Sequence, residues 1–187
     1  TARSRGLGDV YKRQVLYING EDKDTFLQNL ISNDIKKVSD TNSCFASLLT
    51  PQGKYLFEFI ITKHKKGYFL ECEKKLIDEL FIKLNSYKFR SKVEILNLSN
   101  EFVVAVLSRE KFLTLENSKD VLGYTTKFRE DPIYLDPRHK DLGARLITNL
   151  EKLHLSLKLL ELKSSNLDEY SVSYTHLRAH ETYQYLV

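Results

Sequence analysis

The chain has 187 residues, of which 42% are hydrophobic and 29% charged, and its formal net charge is +4. This composition is ordinary for a folded domain and excludes a disordered chain. No window approaches the roughly 18 uninterrupted apolar residues of a membrane span, and no basic-then-apolar signal peptide opens the chain. We therefore expect a single domain that is located in the cytoplasm and has no membrane partner.

Both ends of the chain lack a hydrophobic period of 2 or 3.6 residues, which would give them a buried face. We interpret residues 1–14 and 172–187 as adapter-derived, non-native tails, and 15–171 as a native part that is cut at both ends. The first tail carries a net charge of +3 and the second none, which leaves +1 for the centre. The overall charge is therefore poor support for nucleic-acid binding.

The predicted elements of the first half begin with a strand at 15–18, closed by the turn dipeptide Asn19-Gly20. Asp22 or Asp24 caps a short helix. Strands at 44–49 and 55–62 flank a Pro-Gln-Gly-Lys turn, and a third strand follows at 68–72. The stripe of apolar residues at 76, 77, 80, 81 and 84 predicts a helix over 75–87.

The second half is predicted to contain strands at 92–96, 102–107, 128–135 and 144–148, followed by a Leu-rich, partly helical segment at 150–170. The strand at 102–107, FVVAVL, is apolar enough to be central in a sheet. This order has no regular βαβ repeat. It predicts an α+β domain with a mixed, largely antiparallel sheet and helices packed against it.

Signatures of catalysis and of metal binding are absent from the sequence. No nucleophile elbow, zinc helix or phosphate loop is present, so we assign no catalytic residue. Cys44 and Cys72 lie in apolar strands and are interpreted as buried hydrophobes in a reducing compartment. His176 and His180 have a zinc-compatible spacing, but they fall in the second tail, and we expect no metal site.

Two pairs of charged residues are candidate ligand contacts. Glu58 and Glu71 interrupt apolar strands, where strict alternation places Glu58 on the face opposite Phe57. If the two strands pair, the two acids would lie close together across the sheet and could orient the N–H groups of a ligand. The alternative is that both glutamates face solvent and bind nothing. Arg90 and Lys92 follow the second helix, where they either interact with its dipole or bind a carboxylate.

A basic run, Lys63-His64-Lys65-Lys66, lies in a predicted hairpin turn. Its simplest interpretation is a solvated loop, and contact with phosphate groups is the alternative.

Five sequence blocks in order carry a family resemblance: VLYINGEDKDTFLQNLISNDI (15–35), ASLLTPQGKYLFEF (46–59), YFLE (68–71), YKFRSKVEI (87–95) and LDPRHKDLGARLI (135–147). Together they resemble the N-terminal portion of the YgfZ-like folate-binding proteins, which belong to the aminomethyltransferase superfamily of the glycine-cleavage T-protein. The resemblance implies the folate-binding aminomethyltransferase-like fold and a tetrahydrofolate cofactor, with Glu58, Glu71, Arg90 and Lys92 as its candidate contacts.

The resemblance also implies a function in the assembly or repair of iron–sulfur clusters, with an indirect effect on tRNA modification. Its expected partners are folate and iron–sulfur proteins or their assembly factors, with no direct nucleic-acid contact. The T-protein carries two acids where this chain has Phe57-Glu58, which disfavours a classical enzyme. The family's Lys-Gly-Cys-x-x-Gly-Gln segment would lie beyond Tyr170, so the folate site is expected to be incomplete in this truncated chain.

Two other functions stay open from the sequence. One is an aminomethyltransferase of the glycine-cleavage system that uses tetrahydrofolate. The other is a non-catalytic module that binds RNA or protein through the cations at 63–66 and 90–92.

Overall fold

The structure, a computed structural model, describes residues 13–50 and 52–160. The second expected tail with its two histidines, and residues 1–12 of the first, lie outside these ranges. Arg13 and Gln14, which the sequence assigned to the first tail, extend the first strand by two residues.

The described residues form nine strands and four α-helices. The strands are β1 (Arg13–Asn19), β2 (Cys44–Leu49), β3 (Tyr55–His64), β4 (Gly67–Glu73), β5 (Glu94–Asn97), β6 (Phe102–Leu107), β7 (Thr125–Phe128), β8 (Asp131–Leu135) and β9 (Ala144–Asn149). The helices are α1 (Lys23–Gln28), α2 (Ile77–Tyr87), α3 (Arg109–Leu113) and α4 (Leu150–Leu159).

The strands form two antiparallel sheets, ordered β2-β3-β4-β1-β5 and β6-β9-β8-β7. This confirms the predicted α+β class and the largely antiparallel pairing. The sequence had suggested a single sheet with the FVVAVL strand in its centre. That strand is instead β6, at the end of the second sheet, and it is apolar because it also packs beside the first sheet through Val104 and Val15.

Two hydrophobic layers hold the first sheet in place. Alternate residues of its strands point to one side, where Leu16, Phe59 and Leu70 pack with Leu80 of α2 and Leu27 of α1. The residues between them point to the second sheet. Because side chains alternate along a strand, each strand of the first sheet contributes to both layers.

The layer between the sheets is a separate cluster. Its buried residues are Val15, Ile60, Phe69, Val104, Tyr134 and Ile147, which come from strands of both sheets. The two sheets therefore share one interface, and this interface carries the charged groups described below.

Residues 125–135 are the main error of the sequence prediction. One strand was expected at 128–135, but the chain makes a hairpin of β7 and β8 around Arg129 and Glu130. Both turn residues have positive φ, of 51° and 71°. Turns of this kind normally carry Asn-Gly, so the sequence offers no signal for the turn.

A pair of substitutions on α2 tests which face of this helix is packed. Leu80 is 0% exposed and Ile82 is 68% exposed. We expect Leu80→Ala to lower the free energy of unfolding by about 2–5 kcal/mol, because it leaves a cavity in the core. Ile82→Ala should change it by less than about 0.5 kcal/mol. Urea denaturation measures both, and equal losses would contradict the described packing.

Candidate functional site

Glu71 lies in the middle of β4 and points into the layer between the sheets. It stands opposite Ile60 of β3 and is 0% exposed. An ionised carboxylate at such a position is very costly unless charged partners and hydrogen bonds compensate for the lost water. Its surroundings therefore decide what this residue does.

Three side chains surround the Glu71 carboxylate. Arg13 of β1 and the Tyr134 hydroxyl of β8 both donate hydrogen bonds to it. Arg145 of β9 donates from Nη1 to Oε1 over 2.8 Å. Since Arg145 and Tyr134 belong to the second sheet, Glu71 ties the two sheets together.

The network of charges continues from Arg145 to Asp136. Arg145 Nε lies 2.8 Å from Asp136 Oδ2, and both side chains are 0% exposed. Arg138 also binds Asp136, with Nη2 at 2.8 Å from Oδ2 and Nε at 3.0 Å from Oδ1. We call Glu71, Arg13, Tyr134, Arg145, Asp136 and Arg138 the buried ion network.

The protonation states in this network follow from its geometry. Burial alone would raise the pKa of Glu71, but Arg145 and Arg13 outweigh it and hold that pKa below its ordinary value. Burial is likewise outweighed at Asp136, whose pKa is lowered by Arg145 and Arg138. Burial and the nearby Glu71 raise the pKa of Tyr134 well above 10. At neutral pH both acids are ionised and the phenol is neutral.

Glu58 occupies a different position on the same face of the first sheet. It is half-buried on β3 and pairs with Ser47 of β2. The β3–β4 register begins with Ile60 opposite Glu71, so the two acids share a face but are offset by two residues. The two acids therefore do not form a directly opposed pair.

The edge of the sheet near Glu58 combines an aromatic ring with a cation. Phe45 precedes Ser47 by two residues on β2 and shares its face. The Arg138 guanidinium lies 5.7 Å from the centre of the Phe45 ring, within cation–π range. We call Glu58, Ser47, Phe45 and Arg138 the sheet-edge cluster. It offers a carboxylate, a hydroxyl and a flat apolar surface.

Arg90 and Lys92 lie on the helix-covered side of the first sheet. Arg90 lines an open groove of about 820 Å³, bounded by Thr25 of α1, by Asn29 directly after this helix, and by Phe89. Lys92 forms an exposed ion pair with Glu21, with 2.8 Å between Nζ and Oε2. The structure thus does not bring the four predicted contacts together.

The basic run at 63–66 covers the end of β3 and the following turn. Lys63 binds Asp40 over 2.7 Å, and His64 lines a small cleft of about 180 Å³ between the two sheets. This cleft lies apart from Arg90, and neither set of cations lines the cavity of the other.

Sequence reasoning found Glu71 but missed its partners. Arg145 and Asp136 were quoted only as parts of a sequence block, and Arg13 was assigned to a tail. An arginine inside the apolar strand ARLITN was the one available signal. A buried arginine needs an acid, and it has two here: Asp136, nine residues before it, and Glu71, 74 residues before it.

Comparisons with known proteins identify relatives of two kinds. No family model matches the chain. The iron-sulfur cluster assembly factor IBA57 homolog, mitochondrial, of Dictyostelium discoideum is 22% identical, over 86% of this chain and 45% of its own length. The protein of the same name from Mycosarcoma maydis is 27% identical, over 78% and 36%. The aminomethyltransferase of Alkaliphilus oremlandii is 27% identical, over 51% and 26%. The chain therefore spans less than half of each of these relatives.

Solved structures share the fold. Glycine cleavage system aminomethyltransferase T from Bartonella henselae superposes with a TM-score of 0.66 at 13% identity, over 81% of this chain and 44% of that one. Together with the sequence relatives, this confirms the resemblance to the aminomethyltransferase superfamily. No helix among the described residues has the length and apolar character to cross a membrane.

Substitution of Glu71 tests the buried ion network. We expect Glu71→Gln to lower the free energy of unfolding by about 3–5 kcal/mol, because it removes the acid that binds Arg13 and one of the two acids that bind Arg145. Glu73→Gln on the same strand breaks only the pair with Lys75, whose side chain is 75% exposed, and should cost less than about 1 kcal/mol. Denaturant unfolding at pH 7 compares them, and similar losses would contradict a stabilising network.

The pH dependence of stability tests the environment of His64. Burial, assisted by Lys65, lowers the pKa of His64 to about 4. Below its ordinary pKa of 6.5 the unfolded chain binds a proton that the native state does not, so stability falls as pH decreases from 6.5 towards 4. Urea denaturation between pH 6.5 and 5 should show a smaller decrease in His64→Gln. An unchanged decrease in His64→Gln would refute the assignment.

Proposed function

We propose that the chain is part of a YgfZ-like folate-binding protein that acts in iron–sulfur cluster assembly or repair, in the cytoplasm. The observation that supports this most is the extent of similarity. Relatives named as IBA57 homologues match 77–86% of this chain. Relatives named as aminomethyltransferases match 35–62% of it. The effect on tRNA modification would be indirect, through iron–sulfur enzymes.

Tetrahydrofolate is the proposed cofactor, and Glu58 is its best-placed contact. A half-buried carboxylate beside an aromatic ring suits a pterin, whose N–H groups need an acceptor and whose ring needs a flat apolar surface. The sheet-edge cluster provides both groups. Glu71 is sealed between the sheets, so we propose that it acts on folate only by fixing the strands that hold Glu58.

Arg90 remains a candidate for a carboxylate of the folate tail. It is exposed at the groove beside α1, and among the described residues its guanidinium makes no ion pair or side-chain hydrogen bond. A guanidinium binds a carboxylate through two parallel hydrogen bonds. Lys92 is already paired with Glu21, so in this proposal it contributes positive charge near the groove without a direct contact.

An aminomethyltransferase of the glycine-cleavage system is the second candidate, favoured by the likeness to aminomethyltransferase T. The position of Phe57 weighs against it. Phe57 is 7% exposed and packs into the helix-side core. Of the Phe57-Glu58 dipeptide, only Glu58 is an acid, and it faces the second sheet. We therefore propose a binding role for Glu58 and no classical enzyme activity.

Disruption of the gene in its host separates these two functions. We expect the activities of iron–sulfur enzymes, including a tRNA-modifying radical enzyme, to fall while the amounts of their polypeptides stay constant. Aminomethyl transfer should be unchanged when cell extract is supplied with the other purified glycine-cleavage proteins, including lipoylated carrier. Loss of transfer with normal iron–sulfur activities would instead establish the aminomethyltransferase.

Substitution of Glu58 tests the folate contact directly. We expect the chain alone to bind tetrahydrofolate more weakly than about 10 μM, since less than half of the relatives' length contributes contacts. Glu58→Gln should weaken binding at least tenfold further, because a hydrogen bond to a charged acceptor contributes about 1.5–3 kcal/mol. Equilibrium dialysis with Glu73→Gln as the control measures this. Unchanged affinity in Glu58→Gln would refute the proposed contact.

A further inference from the structure

The cleft beside His64 has walls from both sheets. Lys63, His64 and Lys65 line it from the end of β3 and the β3–β4 turn. Thr126 and Lys127 line it from β7 of the second sheet. The cations of the basic run therefore converge with a cation that is distant in sequence. The simplest interpretation of this run from the sequence is a solvated hairpin turn, which does not require a cation from the second sheet beside it.

The His64 ring is held in one position by aromatic neighbours. It stacks on Phe69 with 4.4 Å between ring centroids and an angle of 22° between planes. Phe102 approaches it edge-on at 6.1 Å, and the Tyr17 hydroxyl donates a hydrogen bond to the His64 carbonyl over 3.3 Å. The residue after the turn packs closely on β1, because a Cβ at Gly67 would lie 2.3 Å from the Ile18 carbonyl oxygen. The imidazole is thus fixed at the wall of the cleft.

Three polar side chains that line this cleft have no hydrogen-bond or ion-pair partner among the described residues. Within residues 13–50 and 52–160, the His64 ring nitrogens make no hydrogen bond, and the Lys65 and Lys127 ammonium groups make no ion pair. Lys63, by contrast, is bound by Asp40, and the Thr125 hydroxyl donates a hydrogen bond to the Gly123 carbonyl. Burial and the nearby lysines keep His64 neutral at pH 7, so the ring offers one N–H donor and adds no repulsive charge.

We propose that this cleft binds a phosphate group, held by the Lys65 and Lys127 ammonium groups and by the His64 N–H. The size of the cleft fits such a group. The cleft volume of about 180 Å³ accommodates a phosphate and a few water molecules. One water molecule occupies about 30 Å³ in the liquid. It is smaller than the roughly 300–1,000 Å³ of pockets that enclose whole ligands. The rest of a phosphorylated molecule would therefore remain outside.

The acidic residues around the cleft limit its affinity. Asp40 and Glu130 also line it, and Asp131 lies close enough to act on the pKa of His64, as do Lys127 and Lys152. Asp40 is already compensated by Lys63. Glu130 opposes an anion, so we expect binding of inorganic phosphate in the millimolar range. The inference goes beyond the proposed function, because neither Glu58 nor Arg90 lines this cleft.

Phosphate titration followed by histidine side-chain NMR tests the proposal. At pH 7 and constant ionic strength, the His64 signals, assigned by their absence in His64→Gln, should shift and saturate as inorganic phosphate is added. The pKa of His64 should rise when phosphate is bound, because an anion favours the imidazolium. The double variant Lys65→Gln/Lys127→Gln should weaken binding at least tenfold. A shift that does not saturate would overturn the proposal.

A neighbouring lysine provides the matched control. Lys66 is exposed in the same turn but does not line the cleft, so Lys66→Gln should change the affinity by less than twofold. An equal loss in this variant would show general charge attraction and overturn the site. Glycerol phosphate identifies the source of the phosphate: tighter binding than inorganic phosphate indicates a phosphorylated small molecule, and equal binding indicates free phosphate. Thermal unfolding verifies that each variant is folded.

Discussion

The ion pair between Glu71 and Arg145 is the contact on which the arrangement of the two sheets depends. Both side chains are 0% exposed, and their charged atoms lie 2.8 Å apart across the sheet interface. A hydrophobic interface alone tolerates sliding, whereas a buried carboxylate requires each donor at one place. Arg13 and Tyr134 fix the same carboxylate from two further strands. The register between the sheets is therefore set by charge, and the apolar cluster around it fills the remaining space.

The same constraint determines where a ligand can and cannot bind. Glu71 has its carboxylate surrounded by protein donors, while Glu58, on the same face, lies one strand in from the sheet edge and pairs with Ser47 of the edge strand β2. Arg138 belongs to both groups, since it binds Asp136 of the buried ion network and covers the Phe45 ring. The network thus positions one member of the sheet-edge cluster directly. The structural role of Glu71 and the proposed binding role of Glu58 are thus separated by position on one face rather than by residue type.

Local patterns predicted much of this fold. The strands β2 and β6 have the predicted bounds, and α2 ends at the predicted residue. Strict alternation correctly separated Phe57 and Phe59 from Ile60. Long-range pairing was not predictable, because nothing near Glu71 indicates an arginine 74 residues later. The β7–β8 turn was missed for a different reason: Arg129 and Glu130 adopt positive φ without a glycine or an asparagine, so tertiary context overrides local preference there.

The separation of 74 residues between Glu71 and Arg145 also has a consequence for how the chain is made. When β4 leaves the ribosome, its acid has no partner from the second sheet, and it stays hydrated until β9 has been synthesised. The first sheet can pair its strands early, but its inner face cannot close before that point. The two halves therefore complete their folding together, and nascent chains that end before Arg145 expose the apolar inner face to chaperones and proteases, with Glu71 paired to Arg13 but lacking its second arginine.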